Sequence, residues 1–213
     1  MNGAALLAGR AALKLGAGRI FVGMMDRDAP AVDLMQPELM LRAPAVVLDA
    51  ASVLALGPGL GQADEARRMM ERALPLDMVL ILDADALNLI AEDPRLEQIC
   101  AGRRAATILT PHPAEAGRLL GTDAASVQAD RLGAAAELAR RFDALVALKG
   151  CGTVVAAPDG RWWINCTGHP GMATAGMGDV LTGLVTALIA QHWPLEAALI
   201  AAVHLHGAAA DRL

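Results

Sequence analysis

The run TGHPGMATAGMGDVLTGLVTALIA, residues 167–190, passes from a glycine-rich segment into an apolar repeat at Asp179. A loop that opens into a helix leaves backbone N–H groups free at the positive end of the helix dipole, and such an arrangement binds anions. Gly176 and Gly178 would let a phosphate approach the backbone closely. Bound phosphate repels a neighbouring carboxylate unless a metal or a proton transfer compensates. Asp179 therefore reads as a base that takes a proton from a hydroxyl attacking phosphorus. The ordinary alternative is an acid that caps the helix. The neighbouring GMATAGMG and a distant KGCGT favour the base.

Four polar, glycine-bearing or proline-bearing turns follow short apolar runs: GPGLG after SVLAL, DADALN after VLIL, TPHPAE after ATIL, and KGCGT after ALVAL. In open parallel sheets ligands gather beyond the carboxyl ends of the strands, where these turns would lie. None is diagnostic alone. GPGLG is not the dinucleotide fingerprint, and no Walker sequence occurs.

The elements that must position these turns alternate. Residues 4–15 form an apolar helical stretch with Arg10 and Lys14 on one face, and Gly16 and Gly18 offer its stop. RIFVGMM, AVVLDA, SVLALG, MVLILDAD, ATILT, ALVALKG and TVVAA read as strands, the last joined through PDG to RWWIN as a hairpin. Ala66, Met69, Met70 and Ala73 share one helix face, as do Leu132, Ala135, Ala136, Ala139 and Phe142. Val180, Leu181, Leu184, Val185, Leu188 and Ile189 form a buried stripe. After Pro194, a second helix carries Leu195, Ala198, Leu199, Ala202 and Val203 inward. Buried strands alternating with helices predict an α/β fold whose mostly parallel sheet is covered on both faces. With no repeat or linker, residues 1–213 read as one domain.

Composition narrows the function. Of the 213 residues, 55% are hydrophobic but only 2% aromatic, so Ala, Leu, Val, Ile and Met build the core. A net charge of −5 supplies no basic footprint, which argues against nucleic acid. No uncharged apolar run nears the ~18 residues of a membrane span, and the start lacks a signal peptide's basic region. The chain is expected to be cytoplasmic. Cys100, Cys151 and Cys166 have no metal-type spacing and read as small buried hydrophobes. Met24, Met25, Met69 and Met70 read as packing.

The motifs GAALLAGRAALKLGAG, LGPGLG, DADALN, LTPHPAEAGRLLG, LKGCGT and NCTGHPGMATAGMGDVLTGLVTALIAQ occur in order along nearly the whole chain. In this they resemble the bacterial NAD(P)H-hydrate dehydratase family, within the ribokinase-like superfamily. The resemblance implies a repair enzyme that uses a nucleotide, ADP or ATP, with Mg2+. It would phosphorylate the added hydroxyl of hydrated NADH or NADPH and then eliminate phosphate. Asp179 would be the base; Ala4, Gly59, His112 and Asp179 would hold the hydrated dinucleotide; Lys149, Gly150, Cys151, Gly152, Thr153 and Gly178 would hold the nucleotide. No metal ligand is assigned.

The chemistry of these types is compatible with those roles. Lys149 is a compact charge for phosphate and Thr153 offers a hydroxyl, although Lys149 could equally be a solvated lysine. Pro111 and Pro113 stiffen the loop at His112, and Pro113 suits the first position of a helix ending at Gly121; a histidine satisfied by backbone is the alternative. Asp83 and Asp85 face opposite ways, one expected to cap the next helix, with Asn88 near the cleft. His204 and His206 do not share a helix face, which disfavours a metal pair; His206 continues the apolar stripe. Of Trp162 and Trp163, at most one could stack on adenine.

Two residues depart from the family pattern: His169 where Asn is usual and Ala114 where Gly is usual. The resemblance also implies that the chain lacks the family's first strand, and that it is truncated at both ends. Its apolar C-terminal helix suggests a homo-oligomer, with a tetramer the candidate suggested by the family. Two rival readings are a ribokinase-like kinase of a hydroxylated vitamin precursor and a catalytically silent nucleotide-binding module.

Overall fold

Val79–Leu82 shows how the sequence builds the centre of the molecule. Side chains alternate across a strand, so Leu80 and Leu82 enter one hydrophobic core and Ile81 the other, all three fully buried. A computed structural model describes residues 1–26 and 28–212.

Among these, helix α1 (Asn2–Lys14) leads to strand β1 (Phe21–Gly23), β2 (Met40–Arg42), α2 (Pro44–Ala50) and β3 (Val53–Leu56). Next come α3 (Asp64–Ala73), β4 (Val79–Leu82), α4 (Asp85–Glu92), α5 (Pro94–Ala101) and β5 (Thr107–Leu109). Then α6 (Pro113–Leu120), α7 (Ala124–Ala129) and α8 (Arg131–Phe142) precede β6 (Leu145–Leu148), β7 (Val154–Ala156) and β8 (Trp162–Ile164). A 3-10 turn (Pro170–Met172), α9 (Met177–Ala190) and α10 (Leu195–Ala210) complete the order.

Strands β3 to β8 form one sheet in sequence order. β3–β4–β5–β6 pair in parallel, β7 runs antiparallel to β6, and β7–β8 form the predicted hairpin. Helices α2 to α8 pack on one face; α9 and α10 cover Ile81, Ile108, Ala147 and Val155 on the other. β1 and β2 form a separate parallel pair. Consecutive residues of both edges, Phe21–Gly23 and Val53–Leu56, line an apolar cleft of about 360 Å³ between the two sheets. Consecutive lining means that strand edges, not faces, border it, so a continuous sheet would need one more strand there.

The helical stripes are nearly as expected. Ala66, Met69, Met70 and Ala73 are all buried in α3, and Ala198, Leu199, Ala202 and Val203 in α10. In α8, Leu138 replaces Leu132 and Ala136, both exposed, because the helix starts only at Arg131 and its inward face lies further along.

Three expectations are corrected. AVVLDA is helix α2: Pro44 sits at its first position with φ already helical, and Val47 and Leu48 bury one face. Cys100 alone of the cysteines is buried, its thiol pushed up to about 12 by desolvation. Cys151 and Cys166 are exposed, on a glycine turn and beyond an edge strand. Met24, Met69 and Met70 are core residues and Met25 packs against the core. No helix among the described residues is long and apolar enough to cross a membrane.

Candidate active site

The four turns singled out in the sequence follow β3, β4, β5 and β6, at the carboxyl edge of the parallel strands. Asp83 closes β4 and Lys149 closes β6. Above the end of β5, between them, Lys149 Nζ meets Asp83 Oδ1 at 2.6 Å. The second oxygen of Asp83 accepts from Thr182 Oγ1 at 2.7 Å. Asp83 is 1% exposed and the Lys149 side chain 19%, so Lys149 is no solvated lysine. A buried pair of this kind holds only while both partners remain.

Helix α9 begins directly over that pair. Its N-cap is Gly176, in the left-handed region at φ 90°, and Asp179 lies in the first turn without making a side-chain cap. The capping alternative is thereby excluded. A Cβ on Gly178 would stand 3.2 Å from Lys149 Nζ, so the free backbone of the first turn and the ammonium face one space. Burial raises the Asp179 carboxyl above its ordinary pKa; Asp83 raises it further and Lys149 opposes. Desolvation penalises the charged form of an acid, and a like charge adds to it. A carboxylate made more basic, beside a cation and a helix N-terminus, suits proton abstraction next to a phosphate.

His112 is the N-cap of α6, and Pro113 and Gly121 bound that helix as predicted. Its Nδ1 accepts from the N–H groups of Ala114 and Glu115 at 3.1 and 3.3 Å. Glu115 closes a capping box: its Oε2 accepts from the His112 N–H at 2.7 Å, and Oε1 lies 3.2 Å from His112 Nε2. Burial, ahead of the charges of Lys149 and Arg118, lowers the imidazole pKa. Burial raises that of Glu115, against the pull of Lys149, 3.9 Å away.

The KGCGT turn is held from an unexpected direction. The Arg131 guanidinium donates to the carbonyls of Leu148, Lys149 and Gly152 and lies against Gly150. Thr153 Oγ1 donates to Gly150 O at 3.1 Å, and Cys151 points outward. Ala4 and Gly59 come together around Met1, whose carbonyl accepts from Ala4 N–H and whose ammonium donates to Gly59 O.

Neither Asp83 nor Asp85 caps α4: Ala84 is the N-cap, and Asp85 instead accepts from Gly61 N–H, tying the GPGLG turn down. Asn88 accepts from Arg118. His169, the departure near the loop, caps the 3-10 turn through Gly171 N–H; Ala114 donates to the capping histidine. Trp162 is exposed, while Trp163 faces the other way, under Arg161. His204 is exposed and His206 partly buried.

Sequence reasoning missed Arg131, Thr182 and Glu115 as parts of the site. Thr182 had a signal, a polar residue in an apolar stripe three positions after Asp179. Glu115 had one too, three positions after His112. Arg131 had none.

Among the described residues no group of three or more His, Cys, Asp or Glu could hold a metal. Mg2+ asks of a protein only one or two carboxylates beside substrate phosphates. The donor set fits a cation carried on such phosphates, since the Asp179 carboxylate makes no side-chain hydrogen bond among the described residues while Asp83 has both oxygens committed.

The mostly parallel sheet, with a glycine-led helix start, a lysine and an acid gathered at its carboxyl edge, has a ribokinase-like fold. A ribokinase-like superfamily protein of Enterococcus faecalis superposes with a TM-score of 0.80 at 26% identity, over 96% of this chain and 72% of its own. The ADP/ATP-dependent NAD(P)H-hydrate dehydratase of Bacillus subtilis, co-crystallised with ATP/Mg2+, superposes with a TM-score of 0.85 at 34% identity, over 100% of this chain and 76% of its own.

The family model described as NAD(P)H-hydrate dehydratase matches residues 1–213, and the chain belongs to that family. The ADP-dependent (S)-NAD(P)H-hydrate dehydratase of Neisseria meningitidis is 43% identical over 99% of this chain and 73% of its own length. The bifunctional NAD(P)H-hydrate repair enzyme Nnr of Coxiella burnetii is 40% identical over 100% of this chain, which spans only 43% of that enzyme.

Proposed function

We propose that the protein dehydrates hydrated NADH or NADPH at the expense of ADP. The observation that carries this reading is the Lys149–Asp83 pair set under the first turn of α9, where Asp179 waits with a raised pKa. Lys149, the backbone at Gly178 and the Arg131-braced turn Gly150–Thr153 would hold the nucleotide phosphates. Ala4, Gly59 and His112 would hold the hydrated dinucleotide. Mg2+, when bound, would neutralise charge on the transferring phosphoryl group, held by the phosphates and Asp179.

The steps this chain performs are then few. Asp179 takes the proton of the hydrate hydroxyl as its oxygen attacks the terminal phosphorus of ADP; the phosphorus–oxygen bond to AMP breaks. In the second step the carbon–oxygen bond breaks, phosphate leaves with the bonding electrons, and the proton lost by the adjacent carbon passes to that phosphate as the ring double bond is restored. Lys149 stabilises charge on phosphate in both.

The test is recovery of reduced-nicotinamide absorbance from hydrated NADH with Mg2+ and either ADP or ATP. ADP-dependent recovery is expected. No recovery, with nucleotide still raising the melting temperature, would favour a silent nucleotide-binding module; phosphorylation of another hydroxylated acceptor would favour a kinase.

A further inference from the structure

The buried carboxylate of Asp83 is held by two side chains among the described residues: Lys149 Nζ donates to Oδ1 at 2.6 Å and Thr182 Oγ1 to Oδ2 at 2.7 Å. The two holds differ in stiffness. A lysine ammonium swings on a flexible four-carbon stem, and a carboxylate turns easily about its own last bond. Those two groups alone would fix each other only loosely. A second buried acid, Glu115, also offers Oε2 at 3.9 Å from the same ammonium, so the lysine has a competing place to rest. Thr182 is β-branched, fully buried and part of α9, which leaves its hydroxyl few positions. It is the rigid end of this chain of contacts.

Thr182 stands one turn below Gly178, and residues four apart share a helix face. A Cβ at Gly178 would lie 3.2 Å from Lys149 Nζ and 3.9 Å from Asp83 Oδ2. One face of α9 therefore presents its first turn to the ammonium and, a turn further on, grips the carboxylate that holds that ammonium. The helix itself does not ask for a hydroxyl here. Leu181, Val185 and Leu188 around it are buried and apolar, and threonine is a poorer helix former than leucine or alanine.

We infer that Thr182 is a positioning residue: through Asp83 it locks the Lys149 ammonium under the first turn of α9, so the helix proposed to receive phosphate also places its own cation. The identity of what the ammonium meets rests on the nucleotide reading given above.

Lys14 and Lys149 are the two lysines of the chain. Lys14 is exposed at the end of α1 and serves as an internal standard. The ligand-free protein is treated briefly with an amine-acylating ester, and the ratio of Lys149 to Lys14 labelling is read by mass spectrometry. ADP affinity is read by calorimetry. Thr182→Val keeps the shape and loses the hydroxyl; Thr182→Ser keeps the hydroxyl and loses a methyl group; Thr182→Ala loses both. In the Val variant the ratio should rise and ADP affinity fall, each about tenfold, the scale of one hydrogen bond to a charged group. The Ser variant should melt lower than wild type, because a buried methyl group is lost, yet stay within about threefold in both readouts.

A wild-type labelling ratio in the Val variant overturns the inference. So does a Ser variant labelled as fast as the Val variant, since packing alone would then place the lysine. If the Val variant does not fold, Ser against Ala, which differ by the hydroxyl, decides in the same way. A raised ratio with wild-type ADP affinity also overturns it, because the lysine is then locked but not for the nucleotide. Wild type that binds no ADP overturns the nucleotide reading, and the labelling ratio still decides the lock.

Discussion

Lys149 and Asp83, 66 residues apart in sequence, meet at 2.6 Å over the end of the strand that separates theirs. The pair makes two demands on one lysine: it neutralises a buried carboxylate and presents an ammonium to the helix start above. These demands can be separated. Lys149→Met should lower stability by about 3–5 kcal/mol, because Asp83 is left buried and unpaired. Adding Asp83→Asn should return most of that stability in a denaturant melt while nucleotide affinity stays lost. Full recovery of affinity in the double variant would show that Lys149 serves folding only.

Asp179→Asn should lower turnover by about 10²–10⁴-fold, the usual contribution of a general base. Nucleotide binding, followed by thermal shift, should persist, since the amide keeps the shape and removes a charge that repels phosphate. Wild-type-like absorbance recovery in this variant would remove Asp179 from the mechanism.

The pH dependence follows from the same carboxyl. Its pKa is raised by burial and then by Asp83, so the active, deprotonated form is lost as pH falls through a value above the ordinary ~3.9 of aspartic acid. The acid limb of kcat/KM should lie correspondingly high. Folding sees the opposite sign. The native state holds this proton to higher pH than the unfolded chain, so Asp179 progressively costs stability as pH rises from the ordinary carboxylate value to the native one, and in full above it. Asp179→Asn should therefore melt higher than wild type at neutral pH, with no such difference below the ordinary carboxylate range. An acid limb at the ordinary value, with equal melting temperatures throughout, would contradict the environment described for this group.

Arg131 braces the Gly150–Thr153 turn, proposed above to hold nucleotide, by donating to the Leu148, Lys149 and Gly152 carbonyls. Arg131→Lys keeps a charge but loses the fork that reaches several acceptors at once. The expected outcome is an increase of about tenfold in the KM for ADP, with kcat at saturation little changed, roughly the loss of one charged hydrogen bond. An unchanged KM would mean that the turn holds its shape unaided.

How much of this was legible beforehand divides by range of interaction. The glycine loop, the strand-end turns and the stripes of α3 and α10 are local patterns, and all stand where periodicity puts them. AVVLDA failed because a short apolar run has no period of its own, and Pro44 then decides for helix. β2 is only three residues long and left no pattern to read. Arg131 reaches carbonyls 17 to 21 residues away, a contact created by α8 packing beside β6 and written in no spacing. The Asp83–Lys149 pair is intermediate. Each residue marked itself by following an apolar strand, but only the strand order, with β5 between them, shows that they meet.

Gly178 offers the sharpest separation of folding from function. It lies in the first turn of α9, where glycine is a poor helix former, worth about 1 kcal/mol less than alanine in a helix interior. It does not need a left-handed backbone: unlike Gly176, it is not among the positive-φ glycines. Nothing in the helix therefore asks for glycine here. A Cβ would stand 3.2 Å from the far end of a long side chain, Lys149 Nζ, which must give by a few tenths of an ångström, and 3.9 Å from Asp83 Oδ2, an ordinary contact. Gly178→Ala should thus fold at least as stably as wild type. It should nevertheless bind ADP more weakly and turn over more slowly, because the methyl group fills the space shared by the free N–H groups and the ammonium. Melting temperature and ADP affinity, measured on the same preparation, should move in opposite directions. If affinity is unchanged, phosphate does not approach the backbone at this turn, and the anion site must be sought along Gly150–Thr153 instead.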